Sequence, residues 1–320
     1  MTPVIVIPVH NEAATIADVV AGARRHAPVI VVDDGSSDDS AAEAIRAGAD
    51  VIRHAGRRGK GAALRRGIAA ARARGATAVV TLDGDGQHAP GDVPLLLRAL
   101  DETPDRLVIG DRLAHTAGFA RARLNAMVVA AFFVEWVSAL GVRDTQSGFR
   151  AYPMPLLDDV RTARGGFVFE TEVLVRAAQR GWRAREVSVA SIPSARRRSR
   201  FRPLRDGLAI GAFLTGQSLH QWGRVVRARV RAGLRPPRGR ARPRRARAAA
   251  IASTATPLLL AAAALQVGLG RLGVDLVTPL VWRLYARERL TGATSAVADG
   301  GGESRAALEA PLATSPGGRT

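Results

Sequence analysis

The strongest constraint on this chain is a repeated unit. A short apolar run is cut off by polar residues, and a helical pattern follows. Residues 4–8 (VIVIP), 29–32 (VIVV), 51–52 (VI) and 78–82 (AVVTL) are the apolar runs. Each has the length and β-branched content of a strand buried on both faces. Between them lie residues 15–25, with Ile16, Val19, Val20 and Ala23 at helical spacing, then 40–47, then a long alanine-rich stretch from Gly61 to about Arg74. Strands and helices alternating at this pace predict a mainly parallel α/β sheet with helices on both faces. In such a sheet the ligand sits beyond the carboxyl ends of the strands.

The unusual polar residues fall at those strand ends. The run 78–82 opens directly into Asp83-Gly84-Asp85-Gly86-Gln87-His88. Two aspartates one residue apart can face one cation, and their hard oxygens favour Mg²⁺ or Mn²⁺ over zinc. Gln87 adds a neutral oxygen, and a diphosphate would complete the shell. An acidic turn without a ligand is the plain alternative. The run 29–32 ends in Asp33-Asp34-Gly35-Ser36-Ser37-Asp38, where a carboxylate can accept from a base or a ribose hydroxyl, or simply form an Asx turn before the next helix. Gly59-Lys60-Gly61 opens a helix without the spacing of a P-loop. Its bare amides and Lys60 can meet phosphate. Asp144-Thr145-Gln146-Ser147-Gly148-Phe149-Arg150 forms a polar loop whose Arg150 can clamp a phosphate or bridge to Asp144. Glu170 and Glu172 either orient basic groups or begin a helix, where acids are favoured.

The composition sets limits around this core. No cysteine is present, which excludes disulfides, thiolate metal sites and cysteine nucleophiles and fits a reducing compartment. The net charge of +19 is concentrated in residues 196–205 and 224–247. A basic tail beside a balanced domain points to an anionic surface as partner. Residues 120–140 form a long apolar helix with Phe132, Phe133 and Trp136, whose Arg121, Arg123 and Glu135 favour a core or membrane-surface position. Residues 248–269 are uncharged over the roughly 20 residues that a bilayer core demands, although Pro257 and many alanines also suit a helix packed on protein. The resulting division is a catalytic domain at 1–206, an amphipathic segment and Arg-rich linker at 207–247, a membrane-associated segment at 248–290 and a disordered tail at 291–320.

Taken in order, V-I-V-I-P-V-H-N-E, V-V-D-D-G-S-S-D, G-K-G-A-A-L-R-R-G, L-D-G-D-G-Q-H, D-T-Q-S-G-F-R and F-E-T-E resemble family 2 glycosyltransferases of the GT-A fold. Among these the chain is most similar to the polyprenyl-phosphate, dolichol-phosphate mannose synthase-like branch. The resemblance spans about residues 3–206. It implies a GT-A (nucleotide-diphospho-sugar transferase) fold with C-terminal membrane-associated helices. It also implies a GDP- or UDP-sugar donor with Asp33 at the nucleobase and Pro8, Glu12 and Asp34 lining the nucleoside. Lys60 is expected on the donor side. Asp83, Asp85 and Gln87 would hold Mg²⁺ or Mn²⁺ on the donor diphosphate. Arg112, Ser147 and Arg150, with Arg198 and Arg202, would engage donor or acceptor phosphates. Val9 replaces a frequent aromatic, Ser188 a frequent proline, and R-R-R-S-R-F-R-P the family's later glycine-serine-lysine pattern.

The expected reaction is one inverting displacement at the anomeric carbon. A polyprenyl-phosphate acceptor is largely dianionic at neutral pH and needs no base. A glycan or glycolipid hydroxyl needs one, and Glu170 and Asp144 are the candidates. The lipid reading would place the protein on the cytoplasmic face of the cell membrane. Nucleic-acid binding fits poorly, because the basic tail lacks stacking aromatics. An inactive sugar-nucleotide scaffold would not need both motif aspartates.

Overall fold

The computed structural model describes residues 1–113, 121–166, 168–190, 192, 209–217, 219–220, 223 and 227. Seven strands form one sheet: β1 (Pro3–Val9), β2 (Val29–Asp33), β3 (Asp50–Arg53), β4 (Ala78–Thr81), β5 (Arg106–Asp111), β6 (Arg150–Pro153) and β7 (Arg183–Ser188). Their spatial order is β3-β2-β1-β4-β6-β5-β7. The strands of the four apolar runs are mutually parallel, with Ile5 opposite Val29 and Val4 opposite Val79.

The helices are α1 (Ile16–Ala23), α2 (Ser40–Arg46), α3 (Lys60–Ala73), α4 (Val93–Glu102), α5 (Arg121–Ser138), α6 (Met154–Asp159) and α7 (Val168–Gln179). Alternate residues of β1 sort the core into two layers. Val4 and Val6 join α3, α5 and α7 on one face, while Ile5, Ile7 and Val9 join α1, α2 and α4 on the other. Burying each such aliphatic contributes about 1.5–3 kcal/mol. Helix α4 shows the local logic: Pro94 sits in the first turn, where its missing N–H costs nothing, and Val93, Leu96, Ala99 and Leu100 share the buried face. Gly67 lets α3 lie directly on β1, because a Cβ there would run into Val6 and Val32. That approach fixes the amino end of α3, and Lys60 with it, above the strand ends.

One expectation is refined and another needs correction. The sheet is mainly parallel, as expected, but mixed, since β6 runs antiparallel to both β4 and β5. The chain leaves α5 at the ligand edge, passes through the loop at 144–148 and enters β6 from that same edge, so β6 can only run away from it. The expected membrane-associated helices and membrane anchoring are not supported. Among the described residues no helix is long and apolar enough to cross a membrane. Helix α5 carries Arg121, Arg123 and Glu135 within 18 residues and contacts α7. Ile210, Phe213 and Leu214, from the segment expected on a membrane surface, are buried in the core beside α7. Residues 248–290, Arg198 and Arg202 lie outside the described residues.

Candidate active site

The end of β4 carries the two aspartates. Asp85 takes the backbone N–H of Gln87 on its Oδ1 at 3.1 Å, which closes the turn, and Gly86 adopts φ +73° to make it. The Gln87 carbonyl accepts from the Ile192 N–H at 3.0 Å. Burial would raise the Asp83 carboxyl, but the Lys60 ammonium beside it, helped by His88 and Arg112, holds it below the usual range. Asp85 moves the other way. Burial and the Asp83 charge both raise it. This turn therefore holds more negative charge than its protein neighbours neutralise, and its donors are hard oxygens, a combination that suits a divalent cation such as Mg²⁺ or Mn²⁺. Among the described residues no group of three or more His, Asp or Glu is gathered for a metal; a bound diphosphate or water would supply further ligands.

Lys60 stands between two acids. Its Nζ lies 2.7 Å from Asp83 Oδ1 and 2.8 Å from Glu170 Oε1. Burial works against its charge, yet the two carboxylates raise its pKa overall. Glu170 is 3% exposed and, apart from Lys60, its carboxylate has no polar partner among the described residues. Glu172, two positions on and pointing elsewhere on α7, does a different job. It accepts from the N–H groups of Ala163 and Arg164 at 3.0 and 2.8 Å and from Arg176 Nε at 2.8 Å. This fastens the loop before α7 against Gly61, where a Cβ would meet the Arg164 carbonyl at 2.9 Å.

The loop entering β6 packs beside Asp83. A Cβ on Gly148 would meet Asp83 Oδ2 at 2.5 Å, so glycine is what lets the carboxylate sit there. Arg112 makes a two-pronged pair with Asp144, Nε at 2.7 Å and Nη2 at 2.9 Å, and this guanidinium holds the otherwise buried Asp144 carboxyl below its ordinary value. Asp111 and Arg143, the neighbours of that pair, form a second contact at 2.5 Å. The two crossed pairs tie the end of β5 to the loop. Arg150, expected at a phosphate, is fully buried and gives its donors to the carbonyls of Ser147, Glu170 and Thr145 at 2.7–2.9 Å. It shapes the loop from inside and is not presented to a ligand. Ser147 is also buried, its hydroxyl accepting from the Phe149 N–H at 3.3 Å.

At the end of β2, Asp33 takes the Ser36 N–H at 2.9 Å and pairs with Arg53 Nε at 3.0 Å. Asp34 is occupied by three donors: Arg58 N at 2.8 Å, Gly59 N at 2.7 Å and His54 Nδ1 at 2.9 Å. It closes the loop that leads into Lys60. Pro8 lies in β1 opposite Val32, and the backbone N–H of the buried Glu12 donates to Ser40 Oγ at 2.7 Å. The sheet thus brings Lys60, Asp83, Asp85 and Arg112 together with Glu170, while Asp33 and Asp34 form a separate cluster two strands away. His88 was not singled out by the sequence reading, although it follows Gln87 directly. It is 1% exposed, its Nε2 is 3.8 Å from Asp83 Oδ2, and its ring lies 5.3 Å from that of Phe149. Burial first, and Arg112 second, lower its pKa to about 4, so the ring is neutral at physiological pH.

The chain has clear relatives among known proteins. The model of glycosyl transferase family 2 matches residues 4–160. Glycosyltransferase AglJ of Haloferax volcanii is 34% identical over 241 residues, covering 72% of this chain and 78% of the relative. The chain belongs to glycosyl transferase family 2. Polyprenol monophosphomannose synthase of Mycolicibacterium smegmatis is 30% identical over 201 residues, 58% of this chain and 75% of that one. Among solved structures, glucosyl-3-phosphoglycerate synthase of Mycobacterium tuberculosis in complex with Mn²⁺, UDP and glucosyl-3-phosphoglycerate superposes with a TM-score of 0.54 at 27% identity, covering 68% of this chain and 79% of that one. The protein is a metal-dependent glycosyltransferase that uses a nucleotide-sugar donor. The narrower polyprenyl-phosphate branch is not what the structural matches single out, since several of them are glucosyl-3-phosphoglycerate synthases.

Proposed function

We propose that this glycosyltransferase moves a sugar from a UDP-sugar to a hydroxyl group of a small acceptor, with Glu170 receiving the hydroxyl proton. The carrying observation is the buried Glu170 carboxylate, joined to Asp83 through Lys60 at 2.8 and 2.7 Å. A neutral hydroxyl needs a base within hydrogen-bond reach. Asp144, the other candidate, is committed to Arg112. The acceptor oxygen attacks the anomeric carbon as the bond to the diphosphate oxygen breaks. The proton passes to Glu170, the nucleoside diphosphate departs with the electron pair, and the anomeric configuration inverts. A divalent cation held by Asp83 and Asp85, with Gln87, would stabilise the charge on the departing diphosphate. Lys60 keeps Asp83 ionised and holds Glu170 beside it, and the Arg112–Asp144 pair fixes the loop that walls the site. The Mn²⁺ and UDP bound to the mycobacterial synthase support this choice of donor and ion.

Transfer to a polyprenyl phosphate is the second reading, favoured by the identity to polyprenol monophosphomannose synthase. The two part on Glu170→Gln. With a hydroxyl acceptor, kcat should fall roughly 10³-fold, the range of a lost general base. With a phosphate acceptor, already dianionic, the variant should stay within a few-fold of the parent. The assay follows radiolabel from UDP- and GDP-sugars into 3-phosphoglycerate or into polyprenyl phosphate, with Mn²⁺ present. Full activity of Glu170→Gln on the 3-phosphoglycerate-type acceptor would overturn the assignment of the base.

A further inference from the structure

Strand β7, at the edge of the sheet, carries an acid whose partners lie outside its own strand. Side chains along a strand alternate between the two faces of the sheet. Arg185 turns to α4, where its Nη1 meets Glu102 at 2.7 Å, and Ala184 packs against the layer of α3, α5 and α7. Glu186 shares the face of Ala184, at a position where an apolar residue would simply extend that layer. Its side chain is 13% exposed. Burial pushes its carboxyl above the ordinary value in spite of the Asp144 N–H it receives. An acid at such a place costs stability unless its oxygens are used.

They are used by the loop that walls the active site. Glu186 Oε1 accepts the backbone N–H groups of Arg143 and Asp144 at 2.7 and 2.8 Å, and Oε2 lies 3.4 Å from Arg143 Nε. The chain reaches this point through a turn at Ala139 and Gly141, with φ of +54° and +80°. Glu135 of α5 fastens the Gly141 N–H at 2.6 Å, and Glu186 takes the two amides that follow Val142. Two successive amides converging on one oxygen fix the peptide between them. That peptide sets where the Asp144 side chain leaves the backbone. Asp144 is the acid that receives Arg112 Nε at 2.7 Å and Nη2 at 2.9 Å. Arg112 in turn lies close enough for its charge to act on Asp83 and Asp85. A line of contacts therefore runs from the edge strand, through two amides and one ion pair, to the D-x-D turn.

We infer that Glu186 is a positioning residue of the transferase: its grip on the Arg143 and Asp144 amides sets the Asp144 carboxylate, and through it Arg112, for the donor diphosphate. The inference rests on a nucleotide-sugar site at the D-x-D turn and is independent of the acceptor. In this role an oxygen at the right reach matters more than charge. Glutamine keeps both reach and oxygen, and Arg143, 45% exposed and paired with Asp111, can turn from the new amide group. Aspartate keeps the charge and is one methylene too short.

The test compares E186A, E186Q and E186D in the full chain. Each is titrated calorimetrically with UDP or GDP, whichever the parent binds, in the presence of Mn²⁺, so that no acceptor enters the measurement. Hydrogen exchange of the segment 141–148 is followed by mass spectrometry without nucleotide. E186A should lose roughly tenfold in nucleotide affinity, the scale on which a misplaced contact group is felt. E186Q should rescue it to within about threefold of the parent, because the two amides keep their acceptor, and E186D should not. Exchange of the segment should follow the same order. In an Arg112→Ala background the E186A change should cost nothing further, since contacts in one network are not additive. Should E186A not fold, E186D takes its place in both comparisons. Rescue by E186D and not by E186Q would show charge at work instead of grip and overturn the inference. Unaltered affinity in every variant, whatever the melting temperatures, would leave Glu186 a structural residue and overturn it too. A full loss persisting in Arg112→Ala would break the proposed route through Arg112.

Discussion

Two acidic turns flank β1, and they end in opposite conditions. At the end of β2, Asp33 and Asp34 are satisfied by their own surroundings: an arginine, two loop amides, a histidine and a turn N–H. At the end of β4, Asp83 shares one ammonium with Glu170, and Asp85 has a single backbone donor and a raised pKa. The sequence motif is nearly the same, an acidic pair closing a buried strand. The difference lies in what the following chain supplies. After β2 the loop turns its amides onto the carboxylate, while after β4 the loop makes room and leaves charge over. The first turn is closed by its own hydrogen bonds and ion pair, and the second keeps carboxylate charge of the kind a divalent cation would suit.

That contrast is broken most severely by Asp85→Ala. Removing one of the two carboxylates proposed to hold the cation should cut kcat/KM roughly 10³-fold, about 4 kcal/mol of transition-state stabilisation. The melting temperature should hold or rise, since a carboxylate that burial and Asp83 disfavour has been deleted. Steady-state kinetics with Mn²⁺, beside thermal unfolding without it, checks both halves. A variant that keeps activity and loses stability would reverse the contrast.

His88 sharpens it through pH. Its pKa falls from 6.5 to about 4 on folding, so the unfolded chain takes the proton first as pH drops. The stability from keeping the ring neutral is fully present above pH 6.5. It declines below that value and is exhausted near pH 4, a change of about 3 kcal/mol at most. Denaturant unfolding of parent and His88→Phe between pH 7.5 and 4 should show the parent losing this increment and the variant lacking that slope. Parallel curves would remove His88 from the acid response.

Asp34→Ala tests the satisfied turn. Two loop amides and His54 lose their acceptor at a site 3% exposed. Because the loop can partly rehydrate, about 2 kcal/mol of stability should be lost. Chemical denaturation measures it. Donor affinity should weaken less than in Asp85→Ala. An unaltered unfolding midpoint would show that the loop is held by other contacts.

The legibility of the molecule follows the same division. Strands β1 to β4 were readable because long aliphatic runs end in polar residues, and their parallel pairing follows from the helices between them. Strand β6 was not. Arg-Ala-Tyr-Pro has four residues, no β-branched run and a terminal proline, and only its place between β4 and β5 makes it a strand. The D-x-D turn was legible by position. The state of its partners was not, because residue type does not reveal who supplies the opposing charge. Arg150 looks the same in sequence whether it faces a phosphate or three carbonyls. Lys60 looks like a phosphate ligand until Glu170 is brought in from α7. Apolar α5 and the segment around Phe213 suggested lipid because hydrophobicity states only that water is avoided, and α7 and the core supply that cover.

The finest distinction between the turns rests on one hydrogen. Gly148 faces Asp83, and the Cβ of Gly148→Ala would lie 2.5 Å from Oδ2, 2.8 Å from Oδ1 and 2.9 Å from the carboxyl carbon. The atoms in the way are the far end of a rotatable side chain, so the fold should yield cheaply, by less than about 1 kcal/mol. The site cannot yield so cheaply. The carboxylate that must move is the one Lys60 grips at 2.7 Å, and misplacing a charged ligand by a fraction of an ångström weakens everything aligned on it. Roughly a tenfold loss in kcat/KM, about 1.4 kcal/mol, is expected, with a Tm close to the parent. Gly35, beside the satisfied turn, predicts the reverse: it has φ +71° and a Cβ there would meet the Gly56 carbonyl carbon at 2.8 Å, so Gly35→Ala should cost stability before activity. If both alanines behaved alike, the acidic turns would differ less in purpose than in their hydrogen bonds.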